Sequence, residues 1–119
     1  MIDSRPSILV VDEDPLSLDR LGRVLADEFD VHRALGAAEA EGCLARDYIQ
    51  AVIADQRLPE MRGVDFLVRV REQWPDAVRL ILLAPPAADG LVDGVTRQLY
   101  REDADHFFST LKAYDAKEF

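Results

Sequence analysis

A chain of 119 residues that is 49% hydrophobic is long enough for one domain with a real core, too apolar for a disordered segment, and short for an enzyme with a dedicated substrate pocket. Its 23 acids outweigh 14 bases, and the net charge of −9 excludes a surface that grips nucleic acid directly or lies on an anionic membrane. One cysteine makes no disulfide framework and suits a reducing cytoplasm, while no N-terminal apolar run is long enough for a signal peptide or a membrane span.

The first patterned stretch is Ser7 to Pro15, SILVVDEDP. Ile8 to Val11 form an apolar run that suits a strand buried on both faces. It ends in Asp12, Glu13 and Asp14. Pro15 then opens a helical pattern at the position where proline is favoured, so Asp14 reads as the helix N-cap. Leu18, Leu21, Val24 and Leu25 give that helix one apolar face, ending near Phe29. Asp30 to Ala34 is a weaker second strand, placed at a sheet edge because His32 and Arg33 interrupt it. Gly36 to Asp47 reads as a short Ala-rich helix with Ala40, Cys43 and Leu44 on one side, which makes Cys43 a small buried hydrophobe.

Ile49 to Ala54 is the third strand. It ends at Asp55, and Gln56, Arg57, Pro59 and Gly63 then signal a loop. The third helix runs from Gly63 to Trp74, with Phe66, Leu67, Val70 and Trp74 inward, and Pro75 ends it. Val78 to Leu83 is an almost wholly apolar fourth strand. The last third supports two readings. One takes Gln98 to Arg101 as the fifth strand, with a shortened fourth helix before it and Asp103 or Asp105 capping a last helix, HFFSTLKAY. The other takes DADHFFSTLKAYDAKEF as the fifth strand. The first is favoured, because Phe107, Phe108, Leu111 and Tyr114 have helical spacing and the second leaves no residues for a fifth helix. His32 and His106 have no partner pattern and read as surface or edge histidines.

Strands that alternate with helices predict an α/β fold, a five-stranded doubly wound parallel sheet of right-handed βαβ units with helices on both faces. A flavodoxin-like order 2-1-3-4-5 would set the first strand beside the third, so that Asp12, Glu13 and Asp55 converge at the switch point. Alone, Asp55 could equally end its strand or start a turn. Together, acids about 4 Å apart repel by about 4 kcal/mol per pair at an effective dielectric near 20. Either protons stay on or a hard divalent cation enters, and oxygen-only ligands suit Mg²⁺.

The stretches ILVVDEDP and AVIADQRLPEMRGVDFL resemble the receiver domain of two-component response regulators. The family pattern is a strand ending in an acid pair, then a strand ending in the phospho-accepting Asp, with a Pro four residues on and a Gly eight on. Here these are Asp12 and Glu13, Asp55, Pro59 and Gly63, with Glu in place of the usual second Asp. The resemblance runs from about Ile8 to Leu83 and then breaks. The usual Thr or Ser ending the fourth strand falls on Leu83, Ala84 or Pro85, none with a hydroxyl. The usual Lys ending the fifth strand falls on Arg101 in the first alignment and on Lys112 in the second, where Ala113 replaces the following proline.

The resemblance implies that residues 1–119 form one cytoplasmic receiver domain, excised from a larger regulator and signalling rather than enzymatic. Asp55 would be the phosphoacceptor, with Mg²⁺ held by Glu13, Asp55 and the Arg57 backbone carbonyl, and by Asp12 through water. The Arg57 side chain would influence water access to the site or stand as a solvated loop cation. The donor would be a sensor histidine kinase, a phosphotransfer protein or a small acyl phosphate. The DQRLP wording resembles receivers joined to a cyclic-di-GMP phosphodiesterase or transcription-factor output domain in a longer chain; pairing into a homodimer stays open. Two alternatives stand beside this. One is a degenerate receiver acting as a phosphorylation-independent interaction module, motivated by the missing hydroxyl. The other is a haloacid-dehalogenase-type phosphatase with Asp12 as nucleophile and Asp14 as general acid, which leaves Asp55 and Pro59 unexplained.

Overall fold

Leucine, isoleucine and valine runs become central strands where both faces of a sheet are covered. The computed structural model describes residues 5–83 and 97–100. Its elements are β1 (Ser7–Val11), α1 (Pro15–Leu25), β2 (Asp30–Ala34), α2 (Ala37–Arg46), β3 (Ala51–Asp55), α3 (Gly63–Gln73), β4 (Val78–Leu83) and β5 (Arg97–Tyr100). Every neighbouring pair is parallel and the order is β2-β1-β3-β4-β5, the doubly wound flavodoxin-like sheet that the alternating pattern predicts. The fifth strand lies one residue earlier than Gln98 to Arg101, its four residues in register with Leu80 to Leu83. It is therefore not drawn from 103–119. That segment lies outside the described residues, together with Arg101, His106, Lys112 and the expected last helix, and so does 84–96, where the shortened fourth helix is expected.

The register carries the apolar pattern from strand to strand. Ile8 pairs with Ala51 and Val10 with Ile53, and these four face α1, packing with Leu18, Leu25, Phe29 and Leu80. Their neighbours Leu9, Val11, Val52 and Ala54 face the other way. There they meet Ala37, Ala40, Cys43 and Leu44 of α2 and Phe66, Leu67 and Val70 of α3. Among the described residues, one helix covers one face and two cover the other. Phe29, Phe66, Ile8 and Leu9 are fully buried, and burying a side chain of this size contributes about 1.5–3 kcal/mol. Cys43 sits buried in α2, as its apolar neighbours predict.

Element ends follow from local bonds. Pro15 opens α1, and the N–H of Leu16 donates to Asp14 Oδ1 at 3.1 Å. The helix stops at Leu25, short of Phe29, because the chain tightens there: Ala26 donates to the Arg23 carbonyl, and both Glu28 and Phe29 donate to that of Leu25. Phe29 thus reaches the core from a turn. β3 begins at Ala51 instead of Ile49, since Gln50 is engaged by Ser7, whose N–H donates to Gln50 Oε1 at 3.0 Å. Trp74 closes α3, donating its N–H to the Val70 carbonyl at 2.7 Å, and Pro75 follows. His32, on edge strand β2, has Nε2 3.3 Å from Asp30 Oδ2 and Nδ1 3.8 Å from Asp47 Oδ2. Among the described residues, no helix is long and apolar enough to cross a membrane.

Candidate functional site

β1 and β3 lie side by side, and Val11 with Ala54 is their last register pair. The residue after each is an acid. Asp12 is 3% exposed and Asp55 is 6% exposed. Both strands then turn in the same way: Asp14 donates its N–H to Asp12 Oδ1, and Arg57 donates its N–H to Asp55 Oδ1, each at 2.9 Å. Such turns are what a short carboxylate two residues before an amide makes at a strand end. The N–H of Asp12 donates to the Ala34 carbonyl at 3.1 Å, which ties the site to β2.

The remaining acids do not join them. Glu13 and Asp14 are exposed. Asp14 caps α1, accepting from the Leu16 N–H and, at 3.1 Å, from the Ser17 hydroxyl, so the carboxyl that a phosphatase would use as general acid is engaged in capping. Among the described residues no group of three or more His, Cys, Asp or Glu side chains is gathered to hold a metal. Asp12 and Asp55 thus form a buried pair at the two strand ends, with Glu13 exposed beside them. Three carboxylates drawn to about 4 Å would repel by about 4 kcal/mol per pair at an effective dielectric near 20, a cost that a divalent cation between them would offset. The pair still fits Mg²⁺. That ion accepts one or two carboxylates and keeps several waters, and the donors here, two aspartates and the Arg57 backbone, are all oxygens.

The loop that carries Asp55 onward doubles back on itself. Gly63 donates its N–H to the Gln56 carbonyl at 2.8 Å, and Arg57 bridges to Arg62 in antiparallel fashion. This brings Gly63 against the Asp55 backbone. A Cβ at Gly63 would overlap the Asp55 carbonyl oxygen and stand 2.9 Å from its carbon and 3.0 Å from Gln56 Cα. Only glycine permits that approach.

The same loop caps two helices. The N-cap residues of α2 and α3, Gly36 and Arg62, make no side-chain cap bond of their own. Gln56 Oε1 instead accepts the Val64 N–H at 3.0 Å, at the start of α3. Glu60 reaches across to α2, its Oε1 and Oε2 accepting from Ala37 and Ala38 at 2.9 and 3.2 Å. Gly36 leaves room for it, since a Cβ there would come within 2.7 Å of Glu60 Oε1. Sequence reasoning passes over Glu60. Its only signal is negative: α2 starts without Ser, Thr, Asp or Asn at the capping position.

The Ala37 and Ala38 amides hold the Glu60 carboxyl below the usual glutamate range. The sign follows from linkage: a depressed folded-state pKa makes this contact stabilising above the ordinary range and loses it as pH falls through the lowered value. In an NMR titration the Ala37 and Ala38 amides are therefore expected to report one shared acid transition, with its midpoint below that of an unstructured glutamate. An undisplaced midpoint would show that the cap does not persist in solution.

Arg57 carries an exposed side chain, in keeping with a solvated loop cation. Leu82 is the register partner of Asp55, and Leu83 ends β4. Ala84 and Pro85 lie outside the described residues, as do both candidates for the lysine position, Arg101 and Lys112. A groove of about 240 Å³ between Tyr48, Gln50, Trp74 and Ala77 sits at the amino-terminal ends of β3 and β4, away from the acids.

The family model for the response regulator receiver domain matches residues 8–109. Over 95 residues the chain is 38% identical to the hydrogenase transcriptional regulatory protein HoxA of Cupriavidus necator, an alignment covering 80% of this chain and 20% of that one. It is 35% identical over 94 residues to the alginate biosynthesis transcriptional regulatory protein AlgB of Pseudomonas putida, covering 78% and 21%. The chain thus spans about a fifth of the length of these relatives. Among solved structures, the signal receiver domain of an HD domain-containing protein from Pseudomonas fluorescens superposes with a TM-score of 0.83 at 29% identity, covering 92% of this chain and 93% of that one. A CheY-like response regulator receiver domain protein from Methanospirillum hungatei gives a TM-score of 0.84 at 17% identity, with 97% of each chain covered.

Proposed function

This chain belongs to the response regulator receiver domain family, and from that premise we propose that Asp55 accepts a phosphoryl group in a Mg²⁺-dependent reaction. The observation that carries the reading is the burial of Asp12 and Asp55 side by side at the carboxyl ends of adjacent parallel strands, where open α/β sheets bind their ligands. An Asp55 carboxylate oxygen would attack phosphorus and form an aspartyl phosphate. The bond broken is the P–N bond of a phosphohistidine on a sensor kinase or phosphotransfer protein, or the P–O bond of an acyl phosphate. Mg²⁺, held by Glu13, Asp55 and the Arg57 backbone carbonyl, and by Asp12 through water, would supply positive charge to the transferring oxygens. Asp12 keeps the ion site beside the nucleophile, and the Arg57 N–H fixes which way the Asp55 carboxylate faces.

Mg²⁺ titration tests the shared site. The Asp14 and Arg57 amide resonances are expected to shift, and thermal stability to rise with the free ion, by about 2.7 kcal/mol at one hundred times Kd. Asp55→Asn and Glu13→Gln are each expected to weaken the response. An identical response in wild type and Asp55→Asn would show that the acids share no ion.

In the longer chain that the relatives' length suggests, the phosphoryl signal would pass to an output domain that regulates transcription, as the names of HoxA and AlgB describe for those proteins. A phosphorylation-independent interaction module is the second reading. It is favoured by one feature, the absence of a hydroxyl at Leu83, Ala84 and Pro85. Incubation with acetyl phosphate and Mg²⁺ followed by intact mass separates the two: a phosphoryl adduct supports the first, and its absence the second.

A further inference from the structure

We propose that Glu60 is a positioning residue for phosphoryl transfer at Asp55, because its clasp on the α2 N-terminus anchors the loop that sets the Arg57 backbone. The inference rests on the reading of Asp55 as phosphoacceptor. It starts from a mismatch between what α2 needs and where its cap comes from. A helix N-terminus leaves backbone N–H groups without intrahelical partners, and a local Ser, Thr, Asp or Asn ordinarily satisfies them. Gly36 supplies no side chain. Its backbone, at φ −168° and ψ 178°, is extended and open to any residue. A Cβ at Gly36 would come within 2.7 Å of Glu60 Oε1 and push the carboxylate off the two amides, so the clasp needs glycine there.

The geometry links that clasp to the site. Glu60 follows Pro59 in the loop whose first residues, Asp55 to Arg57, form the turn at the nucleophile. The far end of the loop is fixed by the bond from Gly63 to the Gln56 carbonyl and by the bridge between Arg57 and Arg62. The middle, Leu58 to Met61, is held by the packing of Leu58 and Met61 on the core and by the polar tie of Glu60 to Ala37 and Ala38, 23 and 22 residues away in sequence. Releasing the Glu60 tie leaves the segment beyond the Arg57–Arg62 bridge held by Leu58 and Met61 alone. The Arg57 carbonyl, which is to face the ion, belongs to the peptide that joins Arg57 to that segment, so its orientation loosens while the Arg57 N–H stays on Asp55. Loss of a residue that orients a ligand group typically costs 10–100-fold in metal affinity or activity.

Capping and positioning can be separated, because removing Glu60 also clears the space at Gly36. Glu60→Ala loses both the α2 cap and the loop anchor, so its melting temperature and its rate of phosphorylation by acetyl phosphate should fall together. In the double variant Glu60→Ala with Gly36→Ser, the serine hydroxyl has room to cap α2 from within. The melting temperature is then expected to return. The apparent Mg²⁺ affinity, read at the Arg57 amide, and the phosphorylation rate are expected to stay about tenfold down, the lower end of what orienting partners cost. Glu60→Gln keeps an oxygen for one amide and is expected to hold a rate near that of wild type.

Recovery of the rate along with the melting temperature would make Glu60 a helix cap and nothing more, and would overturn the proposal. So would a wild-type rate in Glu60→Ala, or a loss in Glu60→Gln as deep as in Glu60→Ala, even if the serine fails to restore stability. A wild-type protein that gains no phosphoryl group sinks the reading of Asp55 itself and this inference with it. The wild-type arm identifies that outcome.

Discussion

Asp55→Asn is expected to fold as wild type does and to gain no phosphoryl group from acetyl phosphate and Mg²⁺. The substitution is nearly isosteric, and the amide oxygen of asparagine still accepts the Arg57 N–H that closes the turn at 2.9 Å in the wild type. What disappears is the anionic nucleophile. Stability should not fall, because Asp12 is left as the one buried acid at the two strand ends; the repulsion removed is at most about 4 kcal/mol for charges roughly 4 Å apart at an effective dielectric near 20. The two readouts, intact mass and thermal melting, should therefore part company. An adduct on Asp55→Asn at the wild-type rate would place the acceptor elsewhere.

Gly63→Ala should show the reverse coupling, with stability and function lost together. The new methyl would overlap the Asp55 carbonyl oxygen and crowd Asp55 C and Gln56 Cα. All three are backbone atoms, so no side chain can rotate away; the strand end itself has to shift. Overpacking of this kind costs about 1–3 kcal/mol, a large part of a stability that is usually 5–15 kcal/mol. The shift falls on Asp55, so phosphorylation should decline beyond what the unfolded fraction explains. Gly22→Ala is the control. Its methyl would meet only the guanidinium of Arg33, an exposed and flexible side chain that can swing aside, and alanine in a helix interior gains about 0.5–1 kcal/mol over glycine. Equal losses in the two variants would contradict the backbone argument.

How much of this is legible in the sequence depends on the range of the interaction that decides it. Val10 and Val11 before Asp12, and Ile53 and Ala54 before Asp55, announce buried strands ending in acids, and alternation with amphipathic helices orders them. Gly63 is legible from its spacing to Asp55, although the reason, contact with the Asp55 carbonyl, is visible only in the folded loop. Phe29 looks like the end of α1 because its spacing is helical, and only the turn bonds to the Leu25 carbonyl show otherwise. The exposure of Glu13 is not legible from its adjacency to Asp12, since consecutive residues at a strand end point apart. Glu60 and Gln56 leave no local trace, since the helix that Glu60 serves begins 23 residues before it.

That separation also orders events in time. The chain is made from its amino terminus at about 5–20 residues per second, so α2 is synthesised before the glutamate that finishes it. A ten-residue helix is marginal on its own in water, where isolated helices need about 12–15 residues even with favourable sequences. β1 and β2, made before α2, already offer its apolar side a surface, but until the loop behind β3 has closed its first turn lacks its cap. The last bonds of that turn therefore depend on a segment that lies downstream of it. The loop that leaves Asp55 thus also closes the start of a helix made before it.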